Sequence, residues 1–260
     1  MTITPAIKRD YIANLAKDGK RADGRKFEDF RNIEIETGII SKAEGSAKVK
    51  IGNTLVIAGI KMDVGEPYPD SPDSGVMSTA AELIPMASPD FEAGPPREDA
   101  IELARVVDRG IRESEIIEVD KLCIEPGEKV WIIFIDIHIL DYDGNLFDAA
   151  SLASLAALMT AKVPAKRFEL GEDYPLPLKE PPISCTSVKF NGVTIMDPSL
   201  DEEEIAEARL TVATDEKGDL RAMQKGLNGS FSVDEVKKII KVSIDTGKKI
   251  REQLYKSVGK

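Results

Sequence analysis

The residues between Trp131 and Pro164 have the pattern of a phosphate-binding segment, but they lack the side chains that usually hold the anion. An apolar strand runs into an Asp143-Gly144 turn, and a helix rich in Ala and Ser follows. Such a strand–turn–helix directs backbone N–H groups and the positive helix end towards an anion. Here the junction reads Gly144-Asn145-Leu146-Phe147-Asp148, without Arg, Lys, Ser or Thr, and Asp148 would repel an anion. The sequence therefore predicts the backbone of an anion site without its side chains.

A row of arginines on one predicted helix is the second candidate for chemistry. Arg105, Arg109 and Arg112 are spaced i, i+4 and i+7, so they share the face opposite the apolar face. Guanidinium groups bind phosphate oxygens through paired hydrogen bonds, so this row could contact nucleic acid. The simpler interpretation is a solvated helix face on which Glu102 and Asp108 pair with the arginines.

Three other polar groups have simpler interpretations than catalysis. His138 lies beside Asp136 on one strand, but the pattern suggests no Ser or Cys partner, so a hydrogen-bonded structural histidine is favoured over a general base. The acidic run 201–204 could bind a cation, although such runs are usually solvated or face a basic partner. Asp23-Gly24-Arg25 is interpreted as a turn whose arginine braces a packed loop or a subunit contact, rather than as a catalytic motif.

Hydrophobic periodicity predicts the elements that position these groups. Strands are predicted over residues 32–36, 46–51, 55–60 and 130–140, and helices over residues 5–17, 98–115 and 148–162. Gly52-Asn53 predicts a hairpin turn. Both faces of 130–140 are largely apolar, which predicts a central strand. The apolar face of the first helix is predicted to comprise Ile7, Tyr11, Ile12 and Leu15, and residues 64–97 have the Pro- and Gly-rich composition of a long loop.

A Pro-rich connector from Tyr174 to Pro182 indicates a boundary before a second unit. Beyond it, strands are predicted over residues 187–190, 193–196, 209–214 and 220–225, and a capping box at Ser232…Glu235 begins a long helix. We therefore predict an N-terminal helix and arm over residues 1–30, a first domain over 31–172 and a second over 183–258.

Composition restricts the class of protein. The 46 acidic against 35 basic residues give a net charge of −11, which argues against a free-standing, sequence-independent nucleic-acid binder. Cys123 and Cys185 do not have a metal-binding spacing, and no metal or cofactor is predicted. The longest apolar runs are near 10 residues, about half of what a membrane span needs. A cytoplasmic location is therefore expected.

The order of several motifs resembles the RNase PH family of phosphorolytic exoribonucleases. These motifs are Arg21-x-Asp23-Gly24-Arg25, Glu44-Gly45-Ser46-Ala47, Gly52-Asn53-Thr54-x-Val56-Ile57-Ala58, the helix with Glu102, Arg105 and Arg109, the strand Ile135-Asp136-Ile137, and the Asp143-Gly144 turn. The resemblance covers roughly residues 20–255. It implies an α+β RNase PH-like fold, with a ribosomal protein S5 domain 2-like first unit and a smaller C-terminal α+β unit. The helix run 100–109, the insert through Gly94-Pro95-Pro96 and the segment Met196-Asp197-Pro198-Ser199 are most similar to the non-phosphorolytic RNase PH-type subunit of the archaeal exosome core.

The chain departs from active members of this family at two places. They carry a Gly-(Ser/Thr)-Arg-type phosphate loop where this chain has Gly144-Asn145-Leu146, and two acidic residues six apart where it has Glu203 and Arg209. Phosphorolysis needs a bound phosphate as nucleophile and carboxylate chemistry at the scissile bond. Each missing electrostatic group would cost about 3–4 kcal/mol of transition-state stabilisation. The resemblance therefore implies a subunit with no catalytic residue of its own.

The resemblance also implies partners. This chain would alternate with a catalytic RNase PH-like subunit in a trimer of heterodimers, with S1-domain RNA-binding cap subunits on one face of the ring. The ring would degrade single-stranded RNA from its 3′ end, and one or more of Arg97, Arg105, Arg109 and Arg112 would contact that RNA. Two alternatives remain open at the level of sequence: a self-sufficient phosphate-dependent exoribonuclease or nucleotidyltransferase, and a ribosome-associated or chaperone-like binding protein.

Overall fold

A computed structural model describes the backbone of residues 6–259 and the side chains of residues 9–259. The first part of the chain forms α1 (Ala6–Lys17), β1 (Ile33–Thr37), β2 (Gly45–Ile51), β3 (Thr54–Gly65), β4 (Val76–Leu83), α2 (Glu98–Glu113), β5 (Cys123–Glu125), β6 (Lys129–Asp141) and α3 (Leu146–Thr160). The second part forms β7 (Lys162–Val163), β8 (Tyr174–Pro175), β9 (Ile183–Phe190), β10 (Val193–Met196), α4 (Leu200–Glu204), β11 (Ala208–Thr214), β12 (Leu220–Gly226) and α5 (Val233–Ser257). This α+β architecture confirms the predicted fold class.

The first sheet has the strand order β1-β2-β3-β6-β4, with β5 also paired to β6. The predicted hairpin between β2 and β3 is confirmed, with Ile51 paired to Thr54 and Gly52 at φ +59°. All pairs are antiparallel except β4 with β6. Because β6 lies between β3 and β4, its prediction as an interior strand is correct.

One prediction about this sheet is wrong. The loop predicted over residues 64–97 contains β4, whose small and polar side chains do not have a strong strand pattern, and which forms by pairing with the distant β6. The two faces of β6 differ in burial, since Phe134 is 36% exposed and the neighbouring side chains on its face are half-buried. Only the face with Ile133, Ile135 and Ile137 enters the core.

The main core lies between the first sheet and the helices α2 and α3. The isoleucines of β6 pack there with Val49, Val56 and the nearly all-buried Ala and Leu side chains of α3. Small side chains let α3 approach the first sheet closely: a Cβ atom on Gly45 of β2 would lie 2.3 Å from the carbonyl oxygen of Ala157. The helix also contacts β9, so α3 connects the two sheets.

The second sheet has the order β10-β9-β11-β12, and all four strands were predicted. The long helix α5 packs against β9 and β11, and Ile250 and Leu254 join the main core. The predicted capping box at Ser232 and Glu235 is present. No helix within residues 6–259 is long and apolar enough to cross a membrane.

The first helix packs on the second sheet with a face that overlaps the predicted one in part. Ile12, which was predicted, is buried with Ala16 in a small cluster with Val188 and Ile195, whereas Tyr11 is 57% exposed. The predictions for Pro5 and for the side chain of Ile7 fall outside the described residues. Helical spacing alone predicted the wrong centre for the buried face, because Ala residues take part in it.

Candidate functional site

The junction between β6 and α3 has a backbone that only a few residue types can adopt. Gly144 has φ +86°, and Asn145, the N-cap of α3, has φ +56° in the left-handed region. A Cβ atom on Gly144 would lie 2.5 Å from the carbonyl carbon of Ser199 and 2.6 Å from the nitrogen of Leu200. The junction is therefore held against the segment that leads into α4 in the second half of the chain.

A carboxylate of the chain itself lies at the start of α3. The backbone N–H of Asn145 donates to Oε1 of Glu203 over 2.9 Å, and the hydroxyl of Tyr142 donates to Oε2 over 2.8 Å. Burial raises the pKa of Glu203, and the bonds from Asn145 and Tyr142 partly offset this effect. Glu203 stands where active members of the resembled family have their first catalytic aspartate. Its carboxylate thus contacts the predicted anion site directly.

Arg209 stands where active members of the resembled family have their second aspartate. It forms an ion pair with Glu102 of the same chain. Its Nη2 atom lies 2.5 Å from Oε1 of Glu102, and its guanidinium carbon lies 4.1 Å from the ring centroid of Phe147. The cation–π contact and the ion pair fix this arginine against the first turn of α3. Because Glu102 neutralises it, Arg209 does not substitute for the missing cation of a phosphate loop.

A cavity of about 560 Å³ opens beside these residues. Among the described residues, its wall includes the carboxylates of Asp90, Asp99, Glu102, Glu203 and Glu204 and the guanidinium groups of Arg9 and Arg209. The aromatic rings of Phe91 and Tyr142 stack at a centroid distance of 5.3 Å in the same wall. The excess of three negative charges among these described side chains disfavours an inorganic phosphate or an RNA backbone in this cavity.

Asp148 does not act as the sequence suggested. It is 3% exposed and does not line the cavity, so the negative charge facing the cavity comes from other carboxylates. Its Oδ2 atom accepts from the backbone N–H of Thr186 and from Nδ2 of Asn145, each over 2.8 Å, and its Oδ1 atom lies 2.8 Å from Oγ1 of Thr186. Asp148 therefore connects α3 to β9.

Asp197 and Arg31 form a buried network that sequence reasoning missed. Arg31 donates from Nε and Nη2 to the carboxylate of Asp197 over 2.9 and 2.8 Å, and from Nη1 to the carbonyl of Asp143 over 2.6 Å. Burial by itself would raise the pKa of Asp197, but the bonds and charge of Arg31 lower it below its usual value. Arg25 also donates to Asp197, over 2.8 Å, which confirms that the Asp-Gly-Arg turn braces a packed loop.

The helix α4 is the other feature that the sequence analysis missed, since the acidic run was interpreted as solvated or as facing a basic partner. Ser199 and Glu202 form a capping box, a pattern that would have revealed the helix. Glu202 is also ion-paired to Arg21 over 2.6 Å, with both side chains buried. In the described part of the chain, no group of three or more His, Cys, Asp or Glu side chains is placed so that it could hold a metal ion.

The four predicted RNA-binding arginines lie on or next to α2, but they differ in their contacts. Arg97 pairs with Glu92 over 2.5 Å, Arg112 pairs with Asp108 over 3.0 Å, and Arg109 donates to Gln224 over 3.0 Å. Arg105 is exposed and makes no hydrogen bond or ion pair with any described residue. His138 lies near the sheet surface, with its Nδ1 atom 3.4 Å from Oε2 of Glu82.

The fold defines the class of two-unit α+β RNase PH-like proteins, and comparisons with known proteins support that assignment. Models of domains 1 and 2 of the 3′ exoribonuclease family match residues 29–164 and 180–246. The exosome complex component Rrp42 of Methanocella arvoryzae is 57% identical over 95% of each chain, and that of Thermococcus gammatolerans is 54% identical over 99% of this chain and 97% of the relative. The chain belongs to the 3′ exoribonuclease (RNase PH) family.

Solved structures agree with this relationship. A chain of the Archaeoglobus fulgidus exosome with RNA bound to its active site superimposes with a TM-score of 0.93 at 53% identity, covering 95% of this chain and 98% of that one. A chain of the archaeal exosome core superimposes with a TM-score of 0.89 at 49% identity, covering 96% of each. Rice Rrp46, at 19% identity and a TM-score of 0.71, covering 92% of this chain and all of its own, shares the fold.

Proposed function

We propose that this chain is a non-catalytic, RNA-positioning subunit of a cytoplasmic exosome ring of the archaeal type. In that ring it alternates with a catalytic RNase PH-like subunit as a trimer of heterodimers, and S1-domain subunits form the cap. The assembly degrades single-stranded RNA in the 3′ to 5′ direction by phosphorolysis. Relatives named as an exosome complex component are 57% and 54% identical to this chain over nearly its full length, which supports membership of such a complex.

The observation that carries the non-catalytic role is the pairing at the two expected catalytic positions. Glu203 accepts hydrogen bonds from Asn145 and Tyr142 at the start of α3, and Arg209 is bound to Glu102. Neither residue is free to bind phosphate or to perform acid–base chemistry. The role left to this chain is to complete the active site of a neighbouring subunit and to guide RNA towards it.

Reconstitution tests this role. The purified chain, given RNA and inorganic phosphate, should release no nucleoside diphosphates, whereas the chain combined with its catalytic partner should release them. The partner alone and the mixture without phosphate are the controls. Release by the chain alone would instead support the alternative of a self-sufficient phosphorolytic exoribonuclease or nucleotidyltransferase.

We propose that Arg105 and Arg109 on α2 contact the RNA backbone, with Arg97 and Arg112 as weaker candidates because carboxylates already neutralise them. Arg105 is the strongest candidate for an RNA contact, since it is exposed and has no partner in the described part of the chain. In the reconstituted ring, Arg105→Glu should weaken binding of single-stranded RNA. The slope of log K against log salt should become shallower by about 0.7 for each lost phosphate contact.

Lys249→Glu on α5 is the matched control, because it introduces the same charge change at another exposed helix position. Equal losses of RNA affinity in the two variants would indicate a general charge effect and contradict a specific contact at Arg105.

A further inference from the structure

The carboxylate at the start of α3 comes from a distant part of the chain. Helix N-termini are usually capped by the N-cap side chain or by a residue of the first turn. Here the N-cap residue, Asn145, directs its side chain to Asp148 and Asp197 and makes no capping bond of its own. Its backbone N–H instead donates to Glu203, which lies 58 positions further along the chain.

Two hydrogen-bond donors meet at the carboxylate of Glu203. One carboxylate oxygen accepts from the backbone N–H of Asn145 and the other from the hydroxyl of Tyr142. The positive charges of Arg209 and Arg31 favour the ionised form of Glu203 without contacting it, while burial raises its pKa overall. A backbone N–H at a helix start and a hydroxyl are contacts that a phosphate oxygen would use.

The helix that presents Glu203 is fixed in place by neighbouring contacts. The adjacent residue, Glu202, is ion-paired to the buried Arg21 and bonded to the backbone N–H of Ser199. The start of the same segment lies against Gly144, where not even a methyl group would fit. Glu203 therefore occupies the start of α3 as part of the packed structure and not as a mobile surface side chain.

We propose that Glu203 is a built-in substitute for phosphate: its carboxylate fills the anion site of the β6–α3 junction and excludes inorganic phosphate from it. This inference deepens the proposed function, since it takes phosphate as the anion that an active relative would bind at this place. It also identifies a single side chain that prevents binding, in addition to the absence of a phosphate-loop arginine. Removing that side chain should uncover an anion site.

Phosphate binding by Glu203→Ala tests this proposal. Thermal unfolding and isothermal titration are measured with sodium phosphate against sodium chloride at equal ionic strength. The wild-type chain should show no phosphate-specific stabilisation. The alanine variant should show a saturable rise of its midpoint and an affinity at least about tenfold above wild type, because one like charge has left a partly buried site. Glu203→Gln, which keeps the volume but not the charge, should bind more weakly than the alanine variant.

Asp99→Ala is the matched control, because it removes another carboxylate from the same cavity without touching the junction. Equal phosphate binding by Asp99→Ala and Glu203→Ala would overturn the proposal, as would phosphate binding by the wild-type chain. If the alanine variant does not fold in chloride, its refolding yield becomes the measurement: a higher yield in phosphate supports the proposal, and equal yields refute it. These readouts do not involve RNA turnover, so their failure is distinct from failure of the proposed function.

Discussion

At the scale of single residues, charged side chains fix the geometry of the site. Arg21 and Glu202 form an ion pair in which both side chains are almost completely buried, and Arg21 also donates to the carbonyls of Met196 and Asp197. A buried ion pair adds little net stability, but removing one partner leaves an uncompensated charge inside the protein. Arg21 therefore matters mainly because Glu202 and the position of α4 depend on it.

Arg21→Met should lower the free energy of unfolding by about 3–5 kcal/mol, because Glu202 is left buried without its cation. Denaturant unfolding of the variant and the wild type measures this loss. Arg21→Met combined with Glu202→Gln should recover part of it, since the amide carries no charge and keeps the cap on Ser199. Lys20→Met, a substitution at the exposed neighbouring position, should have little effect. A loss below about 1 kcal/mol in the single variant would contradict this argument.

At the scale of elements, the position of α3 determines where the junction lies, and its close contact with β2 fixes that position. The carbonyl of Ala157 and the Cα atom of Ala161 would lie 2.3 and 2.8 Å from a Cβ atom on Gly45. Both are backbone atoms, so the contact can be relieved only by moving the helix. A Cβ atom on Gly59, on the adjacent strand β3, would have no atom of the described residues within 4 Å apart from those of Gly59 and its chain neighbours.

Gly45→Ala should therefore destabilise the chain by about 1–3 kcal/mol or more, as expected of overpacking against backbone. The matched variant Gly59→Ala should be neutral or slightly stabilising, because alanine restricts the unfolded chain. Paired thermal and denaturant unfolding of the two variants checks this difference. Similar effects at both positions would indicate that glycine is needed for strand formation in general and not for the approach of α3.

At the scale of the whole molecule, a buried polar cluster joins the two halves of the chain. Asp148 of α3 accepts from Thr186 of β9, and the hydroxyl of Thr186 lies 2.9 Å from that of Thr211 on β11. Asn145 donates to both Asp148 and Asp197, so the start of α3 is bonded to the second half at several points. Burial raises the pKa of Asp148 to about 7, and the bonds from Asn145 and Thr186 partly offset this effect.

The raised pKa predicts a pH dependence of stability. An unfolded aspartate has a pKa of about 3.9, so between roughly pH 4 and pH 7 the folded chain binds more protons at this position than the unfolded chain. The contribution of Asp148 to stability should therefore be largest below pH 4 and decline as the pH rises through 7, by roughly 1.4 kcal/mol for each unit of pKa difference.

Asp148→Asn should remove the fall in the free energy of unfolding between pH 4 and pH 7. The amide does not titrate, and it can accept the same two N–H groups and donate to the Thr186 hydroxyl. Urea unfolding from pH 4.5 to 8.5 should show the variant gaining stability relative to the wild type as the pH rises. Asp73→Asn, at an exposed loop position, should follow the wild-type curve. Parallel profiles for the wild type and Asp148→Asn would contradict the assignment.

The sequence by itself determined the elements whose side chains repeat at a regular period. The strands around Val49, Val56 and Ile135, and the helices α2 and α5, were predictable because a buried face requires apolar residues at every second position of a strand, or at every third or fourth position of a helix. The departures from the family pattern at Gly144–Leu146, Glu203 and Arg209 could also be recognised from the sequence, because each is a local change of residue type.

The tertiary structure alone decided which of these residues meet. The pairing of β4 with β6, the burial of Asp148 against Thr186 and the contact of Glu203 with Asn145 all join positions far apart in the chain. Periodicity reports which face of an element is buried, but it does not report what lies against that face. The sequence thus predicted an anion site without its usual side chains, while only the packing of α4 against the start of α3 showed that the carboxylate of Glu203 accepts the backbone N–H of Asn145.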